Sequence, residues 1–202
     1  MPADPPHSTA LQPAAEPFEP PRGDAGAEAT RDALTGLVSR PTLERLLPSM
    51  LATAQQDQQP LAVVMIDLDH FKHVNDRFGH AAGDTMLKSF GELLTKQGAR
   101  SDIVGRWGGE EFCLLLPDTD ALAARRRINA LLTLWRGAEF RFGMLPCSDN
   151  TFSAGIADSV LAPPTAGDLL QAAAACLLEA KRLGCQRALV FDAFALGAEE
   201  AD

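Results

Sequence analysis

An unbroken run of apolar residues, Leu61 to Ile66, leads directly into two acidic residues, Asp67 and Asp69. Such a run is typical of a β-strand that is covered on both faces, which places it at the centre of a sheet. A carboxylate that follows a buried strand is costly unless a cation meets it. The sequence therefore predicts a layered fold in which a central strand ends in a cation-binding acidic cluster.

A second acidic pair, Glu110 and Glu111, follows the glycines Gly108 and Gly109 between two strand-like segments. Glycine accepts the positive φ of a two-residue turn, so this pattern predicts a β-hairpin with Gly108-Gly109 as its turn. Adjacent strand residues point to opposite faces, so one of the two glutamates can join Asp67 on a shared metal ion. The alternative is that both acidic pairs are solvated turn residues.

The two acidic pairs suit a hard cation such as Mg²⁺, with Mn²⁺ as an alternative ion, and such a site binds phosphate oxygens at its open positions. A helix is expected to begin directly after Asp69, where its backbone N–H groups can bind phosphate. Lys72 would add a positive charge to the same phosphates. The pattern thus indicates a Mg²⁺-dependent enzyme that acts on nucleotides.

Two polar residues farther along, Asn75 and Asp84, match the hydrogen-bonding edge of guanine, since a carboxylate accepts from N–H donors and an amide both donates and accepts. From spacing alone, a helix cap or a turn pair explains them equally well, and His80 is expected in a turn or cap. Lys181, near the end of the last predicted helix, would complement the helix dipole in any case. These residues are candidate nucleotide contacts that also have a local explanation.

Helix-like and strand-like segments alternate along residues 31–193 without strict repetition, which predicts an α/β sandwich with a mixed sheet and helices packed on it. Ser39 is the expected N-cap of the first helix. The further predicted helices cover 70–78, 81–97, 119–135 and 166–183, and the predicted strands cover 61–66, 102–107, 112–116, 140–143, 151–157 and 187–191.

The two ends of the chain are expected to lie outside the folded domain. Residues 1–30 are rich in Pro, Ala and acidic residues. They are expected to form a disordered tail, because they cannot bury enough surface to offset the entropy of ordering. Residues 194–202 are expected to form a short C-terminal tail.

Composition argues against several classes of function. The formal net charge of −9 gives no gain from counterion release, so we expect no nucleic-acid partner. No apolar stretch approaches the ~20 residues of a membrane span, and no signal peptide is visible, so we expect no membrane association and a cytoplasmic location. The four cysteines show no CxxC spacing, which argues against a zinc site.

Taken together, these motifs resemble the GGDEF-domain diguanylate cyclases, and the resemblance extends from Asp32 to about Phe191. The residues that carry it are Asp32-Ala-Leu-Thr-Gly-Leu37, Asp67-Leu-Asp69-His-Phe-Lys72, Asn75-Asp76, Gly79-His80, Gly83-Asp84, Arg106-Trp-Gly-Gly-Glu-Glu-Phe112, Ser153-Ala-Gly155 and Ala180-Lys181. The resemblance implies a central, mostly antiparallel sheet flanked by helices, similar to the palm of class III nucleotidyl cyclases and some polymerases.

The resemblance also implies the reaction, in which two GTP molecules condense to cyclic di-GMP and two pyrophosphates. Each domain would hold one GTP, and two domains would face each other in a transient homodimer bridged by substrate. The 3′-hydroxyl of one GTP would attack the α-phosphorus of the other in line. Such phosphoryl transfer depends on positioning and charge neutralisation more than on covalent help.

Individual residues receive roles from the same resemblance. Asp67 and Glu110 would bind Mg²⁺ through their carboxylates, and Leu68 would bind it through its carbonyl oxygen. Glu110 would also help to deprotonate the attacking hydroxyl. The implied nucleotide contacts are guanine recognition by Asn75 and Asp84, lining of the nucleotide pocket by His80, and phosphate binding by Phe71, Lys72 and Lys181.

The chain departs from the family pattern in the last predicted helix and the loop that follows it. Where the family usually has Asp, Tyr, Arg and Asn, this chain has Ala174, Leu178, Cys185 and Gln186. A charge-assisted phosphate contact is worth ~1.5–3 kcal/mol, so the loss of the arginine predicts weaker GTP binding unless Arg182 or Arg187 replaces it. In addition, Ser39 stands where the family usually has Asn.

The family's product-inhibition motif, Arg-x-x-Asp, is incomplete in this chain. Ala99 stands at the arginine position, although Asp102 is present, and Arg100 comes one residue too late. We therefore expect no tight product inhibition at this site.

Different classes of function remain open at this point. The intact metal, guanine and hydroxyl-activating positions favour an active diguanylate cyclase. The altered last helix suggests the alternative, a non-catalytic GGDEF-like module that binds GTP, cyclic di-GMP or a protein partner. A third hypothesis is a cyclase that makes cyclic mononucleotides or hybrid dinucleotides.

Overall fold

The computed structural model describes residues 30–142, 145–147, 150–160 and 165–192. The two expected tails, 1–30 and 194–202, lie outside these ranges except for Thr30. Within the described ranges, no helix is both long enough and apolar enough to cross a lipid bilayer.

The described residues form a six-stranded mixed sheet with helices packed on it, which confirms the predicted fold class. The elements are β1 (Val38–Ser39), α1 (Arg40–Asp57), β2 (Leu61–Leu68), α2 (Phe71–Phe78), α3 (His80–Gln97), β3 (Ile103–Gly108), β4 (Glu111–Pro117), α4 (Ala121–Arg136), β5 (Phe140–Phe142), β6 (Leu145–Cys147), β7 (Phe152–Asp158), α5 (Ala166–Arg182) and β8 (Ala188–Val190). The strand order is β1-β3-β4-β2-β7-β8, and β5 and β6 form a separate small sheet.

Strand β2 lies at the centre of the sheet, antiparallel to both β4 and β7. Its side chains at even positions from Ala62 to Leu68 pack against α2, α3 and α4. Those at odd positions from Leu61 to Met65 pack against α1 and α5. Burial on both faces explains why the sequence shows a continuous apolar run here rather than an alternating one.

The helices begin close to where the sequence predicts them. Ser39 is the N-cap of α1 with an extended backbone, but its side chain accepts no hydrogen bond from the helix. Asp120 caps α4 by accepting from the Ala123 N–H at 2.6 Å, so this helix starts slightly later than predicted. Thr165 caps α5 by accepting from the Asp168 N–H at 3.1 Å.

The hairpin between β3 and β4 differs by one residue from its prediction. Gly108 is not in the turn but pairs with Glu111, and the turn consists of Gly109 and Glu110. Gly109 has the positive φ, at 49°. The register shifts between Arg106 and Gly108, which extends the pairing and moves the turn along the chain. Glu110 therefore lies in the turn, and Glu111 is the first residue of β4.

Helix α5 lies unusually close to β7 at Gly155. A Cβ atom at this position would overlap the carbonyl oxygen of Ala173 and the amide nitrogen of Leu177, and it would lie 2.8 Å from the carbonyl carbon of Cys176. Only glycine allows a backbone to approach a strand so closely. The contact fixes the height of α5 above the sheet, and Lys181 follows about one helical turn beyond it.

Replacing Gly155 with alanine is expected to lower the free energy of unfolding by about 2–3 kcal/mol, because the new methyl group meets helix backbone that cannot move aside. Urea unfolding followed by circular dichroism measures this change. Gly137→Ala is the matched control, since its Cβ would have no neighbour closer than 3.5 Å. Equal unfolding midpoints for the two variants would contradict the close approach.

Candidate active site

The two acidic clusters meet at one end of the sheet. Asp67 is the cross-strand partner of Glu111 in β4 and of Ser153 in β7. The Leu68 N–H donates to the carbonyl oxygen of Glu110 at 3.3 Å. Asp67 and Glu111 occupy odd positions of their strands, so their side chains share the face that α1 and α5 cover. The register thus assigns Glu111 to the side of Asp67, whereas Glu110 lies in the adjoining turn.

Lys181, at the end of α5, lies within this acidic cluster. Its ammonium group donates to Asp67 Oδ1 at 2.5 Å and to Asp69 Oδ1 at 2.7 Å. It also lies 3.3 Å from the carbonyl oxygen of Asp67. The sequence predicted a lysine that binds phosphate or complements the helix dipole, and in the structure this lysine has two carboxylate partners. These oxygens therefore form an arrangement that already holds a cation.

Asp69 is buried and fully hydrogen-bonded. Its carboxylate accepts from Ser153 Oγ at 2.8 Å, from Thr151 Oγ1 at 2.8 Å and from the Gln186 N–H at 3.1 Å, in addition to Lys181. Burial raises the pKa of Asp69, but the hydrogen bonds from Lys181 and Ser153 outweigh it and hold the pKa below its usual value. Sequence reasoning gave Asp69 no separate role, and its position just after a buried strand was the only signal available.

The neighbouring carboxyl groups have pKa shifts in the opposite direction. Burial raises the pKa of Asp67 despite its bond to Lys181. Burial, followed by repulsion from Asp67 and Glu110, also raises the pKa of Glu111. One ammonium group thus leaves the cluster with uncompensated negative charge. A divalent ion would relieve this repulsion, because it brings two positive charges to the same oxygens.

The donor set fits a hard divalent cation, because it consists of carboxylate and carbonyl oxygens. The side chain of Leu68 is buried in the core, so only its backbone can offer a ligand. Among the residues that the structure describes, no three Asp, Glu, His or Cys side chains converge as a ready-made metal site. The ammonium group of Lys181 is bonded to Asp67 Oδ1, which is one of the oxygens available to such an ion.

Apart from Lys181, the predicted nucleotide contacts lie on α2 and α3, which are joined at Gly79. Phe71 is buried at the start of α2, and a Cβ atom on Gly83 of α3 would lie 2.9 Å from its ring and would overlap Asn75 Oδ1. Gly83 therefore makes room for both side chains. The remaining predicted contacts are exposed on the same two helices, and they are Lys72, His80 and Asp84.

The loop after α5 carries two of the four substituted positions, Cys185 and Gln186. Cys185 and Gln186 have positive φ values of 63° and 56°. Asparagine tolerates this left-handed region better than most residues, so glutamine makes the loop less favourable than the family residue would. The two arginines proposed as replacements already have partners: Arg182 pairs with Glu179 at 2.7 Å, and Arg187 Nε donates to the Cys185 carbonyl at 2.9 Å.

The segment corresponding to the inhibitory motif is organised around Asp102. Its carboxylate accepts from the Ala99 N–H at 2.6 Å and from the guanidinium of Arg127. Only 2% of the Asp102 side chain is exposed, so it is committed to these partners. Arg127 on α4 thus forms an ion pair with this buried carboxylate. Arg100 is exposed.

Arg106 links the β3–β4 hairpin by hydrogen bonds to the turn that contains Asp32. Its Nε and Nη2 donate to the Gly109 carbonyl at 3.0 and 2.7 Å, and its Nη1 lies 3.2 Å from both carboxylate oxygens of Asp32. Asp32 in turn accepts from the N–H and the hydroxyl of Thr35, at 2.8 and 2.7 Å. The sequence offered these residues only as members of motifs, because nothing in it pairs positions so far apart.

Comparison with known proteins shows which family this domain resembles. A family model described as "Diguanylate cyclase, GGDEF domain" matches residues 29–187. The diguanylate cyclase DgcP of Pseudomonas aeruginosa is 38% identical to this chain over 165 residues, which are 81% of this chain and 24% of DgcP. This chain therefore spans only about a quarter of that relative's length.

Solved structures show the same fold. The GGDEF domain of TpbB from Pseudomonas aeruginosa superposes with a TM-score of 0.78 at 32% identity, covering 84% of this chain and 99% of that domain. The GGDEF domain of DgcB from Caulobacter crescentus, solved in complex with c-di-GMP, superposes with a TM-score of 0.75 at 25% identity. That match covers 83% of this chain and 98% of the DgcB domain.

The ion pair between Asp32 and Arg106 is expected to make the free energy of unfolding depend on pH in the acid range. Burial raises the pKa of Asp32, but hydrogen bonds from Thr35 and Arg106 hold it below its usual value of 3.8. The folded chain therefore binds this proton less tightly than the unfolded chain, so Asp32 stabilises the fold above pH 3.8, and this stabilisation is lost as the pH falls further.

Asp32→Asn is expected to lower the free energy of unfolding by about 1–2 kcal/mol at neutral pH, since it removes charge-assisted hydrogen bonds. The difference from the unsubstituted chain should shrink in strong acid, as measured by urea unfolding at a series of pH values. Asp57→Asn, at an exposed position in the last turn of α1, is the control. A difference that stays constant at every pH would contradict the assignment.

Proposed function

We propose that this chain, which belongs to the diguanylate cyclase GGDEF-domain family, condenses two GTP molecules into cyclic di-GMP and two pyrophosphates. The observation that supports this most strongly is the meeting of two acidic clusters at one end of the sheet. Asp67 pairs with Glu111 across β2 and β4, and Leu68 is hydrogen-bonded to Glu110 in the turn. Phosphoryl transfer needs such a concentration of negative oxygens around a metal ion.

The metal ion we propose is Mg²⁺, with Mn²⁺ as an alternative. Asp67 and Glu110 would bind it through their carboxylates, and Leu68 would bind it through its carbonyl oxygen. Glu111 is a further carboxylate on the same face as Asp67 and could add a ligand. When bound, the ion neutralises charge on the triphosphate oxygens.

The remaining roles concern orientation and proton transfer. Glu110 would accept the proton of the attacking 3′-hydroxyl, a task that suits a carboxylate in an accessible turn. Asn75 and Asp84 would read the guanine edge, and His80 would line the same pocket. The phosphates would be held at the start of α2 and by the end of α5, through Phe71, Lys72 and Lys181.

The reaction joins two nucleotides, so each domain would supply one GTP to a transient homodimer bridged by substrate. When the two sites face each other, the 3′-hydroxyl of one GTP would lie in line with the α-phosphorus of the other. We propose no tight product inhibition at Ala99 and Asp102, because the position lacks an arginine and Asp102 is engaged by Arg127. The cytoplasmic location and the absence of nucleic-acid and membrane partners stay predictions.

The second candidate function is a non-catalytic module that binds GTP, cyclic di-GMP or a protein partner. The specific observation in its favour is the loop after α5, where Cys185 replaces the family arginine and the nearby arginines have other partners. This candidate predicts nucleotide binding without turnover.

Incubation of the chain with GTP and Mg²⁺ is expected to yield cyclic di-GMP, detected by liquid chromatography. Glu110→Gln should lower the rate by about a hundredfold or more, because the proton acceptor and a metal ligand are lost. Glu92→Gln, at an exposed position of α3, should leave the rate unchanged.

The absence of cyclic di-GMP at high enzyme concentration would reject the cyclase. Calorimetry with a non-hydrolysable GTP analogue would then show whether the chain is a nucleotide-binding module. Offering ATP together with GTP tests the third hypothesis, because a hybrid product would appear in the same chromatogram.

Gly83→Ala is expected to weaken binding of a non-hydrolysable GTP analogue about tenfold, because the new methyl group displaces Asn75 Oδ1 and with it a hydrogen bond to the base. Calorimetry measures the affinity. Gly167→Ala, whose Cβ would lie 3.9 Å from Thr165 Oγ1, is the control. An unchanged affinity for the Gly83 variant would remove Asn75 from guanine recognition.

A further inference from the structure

We propose that Lys181 holds the cation position of the site when no nucleotide is bound, so that a divalent ion binds Asp67 firmly only after a triphosphate has drawn the lysine away. This inference deepens the proposed function, since it rests on a site that binds a metal ion and a nucleotide. Lys181 would act as a positioning residue that controls the order in which the site is filled.

The first support is the geometry of the ammonium group. A lysine has three N–H donors, and Lys181 Nζ faces three oxygens: Asp67 Oδ1 at 2.5 Å, Asp69 Oδ1 at 2.7 Å and the Asp67 carbonyl at 3.3 Å. No donor remains for a phosphate in this arrangement. One of the two carboxylate oxygens of Asp67 is also bonded to this ammonium group, so a metal ion on Asp67 must compete with it for negative charge.

The second support is the unequal anchoring of the two carboxylates. Asp69 is also held by Ser153 Oγ, Thr151 Oγ1 and the Gln186 N–H. The carboxylate of Asp67 has no hydrogen-bond partner other than Lys181 within the described ranges. Moving Lys181 away from Asp67 therefore leaves the hydrogen bonds that fix Asp69 in place, and Lys181 can keep its own bond to Asp69. The ammonium group would stay bonded to Asp69 while it moves from Asp67 toward the phosphates.

The third support is the way the fold delivers the lysine. Gly155 lets α5 lie directly on β7. Lys181 follows about one helical turn after this contact, so its side chain reaches Asp67. A cation tethered in this way competes at a high effective concentration with ions from solution. Its side chain is 26% exposed, so it also has room to leave.

A triphosphate changes this competition in two ways. It offers the lysine another anionic partner, and it adds phosphate oxygens to the ligands available to the metal ion. Without nucleotide the tethered ammonium holds Asp67, and with nucleotide the divalent ion does. The metal ion and the nucleotide would thus bind cooperatively, and the exchange of Lys181 would be the cause.

Titration of the full chain with Mn²⁺, followed by electron paramagnetic resonance of the free ion, tests this proposal. Without nucleotide, Lys181→Met should bind Mn²⁺ about tenfold more tightly than the unsubstituted chain, because the competing charge-assisted bond is gone. With a non-hydrolysable GTP analogue present, the advantage should vanish or reverse. Lys88→Met, at an exposed position of α3, should behave like the unsubstituted chain in both titrations.

Equal or weaker Mn²⁺ binding by Lys181→Met without nucleotide would overturn the proposal. Far-UV circular dichroism checks that the variant is folded, and Lys181→Gln replaces it if it is not. As a second readout, Mn²⁺ should raise the melting temperature of the lysine variant more than that of the unsubstituted chain, and equal shifts would count against the exchange. Neither measurement requires turnover. A chain that makes no cyclic di-GMP would therefore reject the proposed function without deciding whether Lys181 competes with the metal ion.

Discussion

The carboxylate of Asp69 is the contact on which the geometry of the site depends. It joins the end of β2 to Thr151, just before β7, to Ser153 within β7, to Lys181 of α5 and to the backbone of the loop at Gln186. These segments lie far apart in the sequence, and the carboxylate of Asp69 binds all of them at one point. A buried carboxylate with four donors is satisfied, whereas the same group with fewer donors would destabilise the fold. The site is thus built into the core of the domain rather than added to its surface.

Much of the fold could be predicted from the sequence because its signals are local. The apolar run that ends at Ile66 identified the central strand, because a strand covered on both faces is apolar at every position and does not alternate between apolar and polar residues. The helices were found from their apolar periodicity and capping residues, and they begin within about two residues of prediction. The convergence of the two acidic clusters was also predicted, because a hairpin beside a central strand brings their ends together.

The parts that could not be predicted depend on contacts between distant residues. The irregularity between Arg106 and Gly108 moves the turn by one position, and no local signal distinguishes Gly108-Gly109 from Gly109-Glu110. In the same way, helix propensity places Lys181 near the end of α5 but gives no information about what it faces. The bond between Arg106 and Asp32 spans 74 positions, so it requires the folded structure. Local chemistry thus predicts the elements, and the register between them determines the site.

The altered residues of α5 can be judged from where they lie. Ala174 is exposed and Leu178 is 73% exposed, whereas the positions that pack on the sheet, Ala173, Leu177 and Ala180, are all buried. The substitutions therefore leave the packing that carries Lys181 to Asp69 unchanged. Gln186 keeps its N–H on Asp69 even though its left-handed backbone is less favourable than it would be for asparagine. The substituted positions within this helix thus lie on its exposed side, while the scaffold that positions the acidic cluster is retained.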